Sequence, residues 1–153
     1  MSSDSLFNIT GDGSALVHAS CVASEHGAVL ISGPSGAGKS GLALSLISLG
    51  CQLVADDRVE LVREGDVVRT RAPKQIAGVI EARGVGLLNA PDYRRNAPLA
   101  LVVDLAHMEE DRLPELRTSQ VLGLTFPLLR KVDAPHFAPA ILQFLKGGRN
   151  TTI

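Results

Sequence analysis

Apolar and polar positions change their period several times along the 153 residues, and each change marks an element. SALVHASCVA, residues 14–23, reads as one β segment, and HGAVLISG, residues 26–33, as a short buried strand ending at a glycine. From Ser40 to Leu49 the spacing becomes helical: Leu42, Leu46 and Leu49 recur on one face, Ala43 and Ile47 fill neighbouring positions, and Gly50 closes the run. Residues 28–50 therefore predict strand, glycine turn, helix. CQLVADD returns to extended character, and RVELVREGDVVRTRAP alternates about Glu64, Gly65 and Asp66 as a hairpin does, so this region is expected to be antiparallel. Three glycines in IAGVIEARGVGLLN, residues 76–89, weaken the case for any regular element there. LALVVDLA, residues 99–106, is a strong buried strand. The charged stretch 107–118 predicts a surface loop or a turn of helix, with short strands near 119–122 and 128–132. A final helix, Pro135 to Lys146, stops at Gly147 and Gly148.

Composition narrows the class. Apolar residues at 45% against 20% charged describe one soluble domain, expected over residues 14–150 behind a flexible segment at 1–13. A net charge of −1, no basic run and 3% aromatic content argue against a nucleic-acid partner. The polar start lacks a basic-then-apolar leader, and no apolar stretch approaches the roughly 18–20 residues of a membrane helix, so the profile is cytoplasmic with no membrane partner. Cys21 and Cys51 lack metal-type spacing and read as small buried apolar groups.

The chemistry concentrates at GPSGAGKS, residues 33–40, which fits G-x-x-x-x-G-K-[ST] between a predicted strand and a predicted helix. Gly33, Pro34, Ser35, Gly36, Ala37 and Gly38 would wrap backbone N–H groups onto phosphate oxygens. Lys39 would reach the β and γ phosphates, and the Ser40 hydroxyl would ligate Mg²⁺. Such a loop predicts a nucleotide or polyphosphate but selects no reaction. Asp56 and Asp57, in VADDRVEL, return close behind it. On a strand their side chains would point to opposite faces, one toward the phosphates and one bracing a neighbour. Holding the metal's water shell and accepting the proton of an attacking hydroxyl are both open to such a pair.

Taken together, VLISGPSGAGKSGLALSLISLGCQLVADDRVEL, His18 upstream and the E-x-R-G-x-G stretch at residues 81–86 resemble the catalytic domain of HPr kinase/phosphorylase, from about residue 14 to 113. The resemblance implies an α/β fold, a single P-loop domain with a mixed sheet and a nucleotide core like that of phosphoenolpyruvate carboxykinase. It implies an ATP-dependent serine kinase acting on the phosphocarrier HPr, and a phosphorylase that uses phosphate and releases pyrophosphate. Matched by position, Asp57 is the proton acceptor and donor, Lys39 the nucleotide lysine, and Ser40 and Glu81 the Mg²⁺ ligands. His18 is an active-site histidine, Arg112 a catalytic arginine, and Arg83, Gly84 and Gly86 belong to the signature loop of the phosphorylase reaction.

The likeness has two departures. Longer members carry an additional N-terminal domain, and the family's basic loop before the last helix reads here as VDAPHFAP, without its two arginines. Those residues bear on the phosphorylase half, on control and on the homo-oligomer; the kinase residues are intact. Two rivals share the same loop: a small-metabolite kinase, which would need a closed acceptor pocket, and a nucleotide-sensing interaction module that transfers nothing.

Overall fold

The computed structural model describes residues 8–11 and 13–153. Its strands, in chain order, are β1 (Ser14–Val17), β2 (Ala19–Ser24), β3 (Gly27–Ser32), β4 (Gln52–Ala55), β5 (Val59–Glu64), β6 (Val67–Arg71), β7 (Val79–Ala82), β8 (Gly86–Asn89), β9 (Ala97–Met108), β10 (Arg117–Val121) and β11 (Leu124–Lys131). Two α-helices, α1 (Lys39–Ser48) and α2 (Phe137–Gly147), and a short 3-10 helix at Lys74–Ile76 accompany them among the described residues.

β9 is the hinge of the architecture. Its first residues pair antiparallel with β6, and its later ones pair parallel with β3 on one side and with β11 on the other. The chain thus forms one mixed sheet in which β4, β2, β3, β9 and β11 lie side by side, while β1, β5 and β6 branch from the start of β9. The branch covers one face of the central strands: Val59, Leu61 and Val68 pack with Cys21, Leu30, Val102 and Leu128 in a buried cluster. The two helices cover the other face, where Ala43, Leu46, Phe137 and Ile141 close over Val29, Ile31, Leu101 and Val103. Each strand that alternates between these clusters is apolar on both faces, and this is why β3 and β9 read as continuous hydrophobic runs. Cys21 and Cys51 are both buried and free, and burial pushes the Cys21 thiol up to about 12 despite its hydrogen bond to Thr70.

Four expectations are corrected. The segment 14–23 is two strands broken at His18, because β1 pairs with β5 whereas β2 pairs with β3 and β4. Residues 76–89 do contain regular structure: β7 and β8 form a separate antiparallel hairpin, whose glycines serve the turn at 83–85 and its exit. The surface loop expected over 107–118 is present without a turn of helix but is shorter, residues 109–116, because β9 continues to Met108 and β10 begins at Arg117. The strands near 119–122 and 128–132 are longer than expected and form a hairpin through Leu122 and Gly123. Within the N-terminal segment, residues 8–11 are tied down: Ile9 N donates to Gln120 O at 2.8 Å and Leu122 N to Ile9 O at 2.9 Å. The expectation for residues 1–7 and 12 lies outside the described residues.

Candidate active site

β3 ends at Ser32 and α1 begins at Lys39, so GPSGAG, residues 33–38, is the turn between a buried strand and a helix N-terminus. Gly33 makes that turn possible. Its φ is 154°, and a Cβ there would stand 3.1 Å from the Cβ atoms of both Ala37 and Leu105. Ala37 N donates to Pro34 O at 3.0 Å and Leu42 N to Gly38 O at 3.0 Å, which closes the loop onto the helix. No acidic residue of α1 itself occupies its first turn, so the helix sequence does not offset the positive potential of its free N–H groups. Lys39 folds back across the loop, its Nζ donating to Gly33 O at 2.7 Å and to Pro34 O at 3.1 Å. Pro34, Ser35, Gly36 and Gly38 are exposed at the mouth.

Asp56 is the buried centre of the site. Its Oδ1 accepts from Ser20 Oγ at 2.7 Å and from Ser40 Oγ at 2.8 Å, and its Oδ2 accepts from Glu81 N at 3.0 Å. A carboxylate only 6% exposed is stable there because three donors satisfy it. The same bonds tie β2, α1 and β7 to one point. Asp57 next to it is exposed and has a left-handed backbone, φ 71°.

The two acids do separate, but by a different device from the expected strand alternation. β4 ends at Ala55, and both acids lie in the following bend, where the left-handed residue turns the chain outward. For a residue with a Cβ that conformation costs about 1–2 kcal/mol, which Asp tolerates better than most.

The remaining expected residues fall into two groups. His18, exposed at the break between β1 and β2, is brought beside the acid pair by the backbone: Ala19 N donates to Asp57 O at 3.3 Å. Glu81 joins through its N–H, with its carboxylate on the exposed side of β7. Arg83, Gly84 and Gly86 lie in the hairpin turn and its exit, all exposed; both glycines have positive φ. Arg112 is exposed in the loop that joins β9 to β10, and no hydrogen bond or ion pair joins it to residues 33–40 among the described residues. That loop is clasped at its base by Arg117, whose Nε and Nη2 donate to Glu109 Oε1 at 3.1 Å and Oε2 at 3.2 Å. The paired guanidinium holds the Glu109 carboxyl below its usual range against the opposing effect of burial, with smaller help from the Asp111 and Glu110 N–H groups.

Three groups at this end of the sheet escaped the sequence reading. Ser20 was one small residue in an apolar run. Asp104, a lone acid inside LALVVDLA, was the available signal for a second buried carboxylate: it is 3% exposed, accepts from Ala106 N at 2.8 Å and meets His107 Nδ1 at 2.8 Å. A carboxylate only accepts, so Nδ1 carries the proton in that contact. Lys131, at the end of β11, donates to Ala37 O at 3.4 Å and had no local signal.

Ser40, Asp56 and Glu81 offer hydroxyl and carboxylate oxygens, a donor set suited to Mg²⁺, which takes one or two carboxylates and completes its shell with phosphate oxygens and water. Among the described residues no helix is long and apolar enough to cross a membrane.

Residues 13–126 match the family model for the HPr Serine kinase C-terminal domain. The HPr kinase/phosphorylase of Burkholderia cenocepacia is 46% identical over 107 residues, covering 63% of this chain and 33% of the relative, and that of Paraburkholderia phymatum gives the same figures. The chain therefore spans about a third of the length of the curated relatives it matches. The structure of the Hpr(Ser) kinase/phosphatase from Coxiella burnetii aligns with a TM-score of 0.72 at 26% identity, over 86% of this chain and 88% of that one. Since the matched span takes in the glycine turn, the acid pair, the β7–β8 hairpin and β9, the chain belongs to the HPr serine kinase C-terminal domain family.

Proposed function

We propose that this domain is an ATP-dependent protein serine kinase whose acceptor is an HPr-type phosphocarrier, and that the same site runs the reverse phosphorylase reaction. The carrying observation is the division of labour between adjacent acids. Asp56 is buried and bonded to Ser40 at the start of α1, while Asp57, the next residue, is exposed and has a left-handed backbone. An exposed carboxylate at that place can meet a protein hydroxyl, whereas a buried one cannot.

In the kinase direction the loop N–H groups and Lys39, released from the Gly33 and Pro34 carbonyls, bind the polyphosphate of ATP. Asp57 takes the proton of the acceptor serine as its oxygen bonds to the γ-phosphorus, and the bond to the bridging oxygen breaks to release ADP. Arg112 supplies a permanent positive fork to the transferring group. Ser40 and Glu81 would hold Mg²⁺, which supplies charge neutralisation on the phosphates when bound. In reverse, a phosphate oxygen, bound beside His18, attacks the phosphoserine phosphorus. Asp57 then returns its proton to the departing serine oxygen, and pyrophosphate leaves. Arg83, Gly84 and Gly86 belong to this direction. A cytoplasmic location and a homo-oligomeric assembly go with this reading.

Labelled ATP, Mg²⁺ and purified HPr test the proposal directly. One serine of HPr should acquire label, and Asp57→Asn should slow transfer by about 10²–10⁴-fold with nucleotide affinity retained. Transfer by Asp57→Asn at the unmodified rate would remove the base from the mechanism. Phospho-HPr incubated with inorganic phosphate should release pyrophosphate; if none forms, the claim contracts to the kinase direction.

A further inference from the structure

β3, β9 and β11 run parallel, so all three reach the glycine turn with their C-terminal ends. Asp104 of β9 is level with Ser32 of β3 on one side and with Arg130 of β11 on the other. Lys131 is thus one residue past the level at which β3 gives way to Gly33, two strands away, a lateral distance of about 10 Å. The register then breaks. Lys131 pairs with Met108, so that residues 105–107 of β9 bulge without partners on β11. Bulges of this kind re-aim side chains. Here the result is an ammonium aimed back over the sheet end, with Lys131 Nζ donating to the carbonyl of Ala37 inside the loop.

Among the described residues, two ammonium groups donate to carbonyls of this loop: Lys39, to Gly33 and Pro34, and Lys131, to Ala37. The Lys131 bond is 3.4 Å, at the long end for such a contact, and it uses one of three donors. No carboxylate among the described residues forms an ion pair with Lys131. A cation held by one neutral carbonyl, beside a loop of free N–H groups, is available to a multiply charged anion. We infer that Lys131 is a second phosphate-binding cation of this site, which moves from the Ala37 carbonyl to the polyphosphate of the bound nucleotide.

This inference rests on reading GPSGAGKS as a phosphate loop, but it needs neither HPr nor transfer, so the two can fail separately. The experiment measures affinity for fluorescently labelled ATP, ADP and AMP by equilibrium titration. Proteins compared are the unmodified chain, Lys131→Met and Lys131→Arg. Lys131→Met keeps the length and loses the charge. It should weaken ATP about tenfold, ADP less and AMP little, and Lys131→Arg should recover most of the loss. Its ATP affinity should also fall less steeply with added salt. A purely structural role for the Ala37 contact predicts equal weakening across the three nucleotides, and that result would overturn the inference, as would ATP affinity within twofold of the unmodified chain. Preferential loss of ATP with labelled HPr still absent would leave Lys131 assigned and remove the acceptor instead. No preference of the unmodified chain for ATP over AMP would remove both. Near-equal melting temperatures for all three proteins show that the comparison is made between folded chains.

Discussion

Asp56 and Val85, at the two ends of a path that runs through β7, stand in opposite circumstances. Asp56 is 6% exposed and bonded to β2, α1 and β7; Val85, at the tip of the β7–β8 hairpin, is 75% exposed, and Leu87 beyond it is 73% exposed. The half that would hold phosphates is thus built into the sheet, with every buried polar atom of Asp56 matched. The half that carries Arg83 and, in a separate loop, Arg112 is anchored only at its roots: by Ile80 and Ala82 under the hairpin and by the Glu109–Arg117 clasp under the loop. A phosphate has one shape and can be met by fixed N–H groups. The protein acceptor proposed above would bring a surface of its own, which the exposed apolar and cationic tips would be free to meet.

Substitutions can break this contrast or sharpen it. The largest effect is expected at the buried end. Asp56→Ala strands two hydroxyls and a backbone N–H, which should cost about 2–4 kcal/mol and lower the melting temperature by roughly 5–15 °C in a scanning calorimeter. A change below about 1 kcal/mol would mean that water satisfies those donors and that the site is less sealed than its bonds indicate. The clasp is intermediate. Glu109→Gln removes the charge from a two-pronged bond and should cost about 1 kcal/mol at neutral pH.

That difference has a definite pH dependence. The folded carboxyl of Glu109 lies below its ordinary value of 4.5, so its contribution is complete above that value and is lost as pH falls through the lower, folded one. Melting curves of Glu109→Gln and the unmodified chain should therefore converge in acid. A gap that stays constant down to about pH 3 would show that the charge is not what the clasp uses. The smallest effect belongs to the tip: Val85→Ser with Leu87→Ser should change unfolding by under about 1 kcal/mol, since neither side chain is packed. A larger loss would show that the hairpin leans on a surface of its own chain.

Legibility divides along the same line. Residues 28–50 could be read as strand, glycine turn and helix because every cue is local: an apolar run, three glycines, then apolar residues at helical spacing. The loop motif and the acid pair were also legible, as was the separation of the two acids into different surroundings. How they do so was not. Nothing in VADDRVEL indicates that β4 stops at Ala55 or that Asp57 takes φ 71°; the bonds made at this bend, from Ala19 N to Asp57 O and from Ser20, Ser40 and Glu81 to Asp56, come from other parts of the chain. SALVHASCVA read as one segment because the break at His18 is imposed by different partners on its two sides: β5, distant in sequence, for β1, and the adjacent β3 for β2. The β7–β8 hairpin was hidden by its own glycines, which count against a strand locally yet supply its turn. Lys131 carried no signal at all. Its place depends on a parallel register between β9 and β11 and on a bulge, neither of which leaves a trace in LRKVDA.

Gly33 has a bearing on how descendants of this fold should be recognised. With Leu105 and Ala37 each 3.1 Å from where its first side-chain carbon would sit, the position is closed by the scaffold itself, whatever fills the cleft. A distant cousin that had abandoned ATP altogether would still need glycine there to keep β9 beside β3. In such a cousin, erosion at Lys39 and Ser40 would be the trace of the lost activity, and the first glycine of the motif would outlast it.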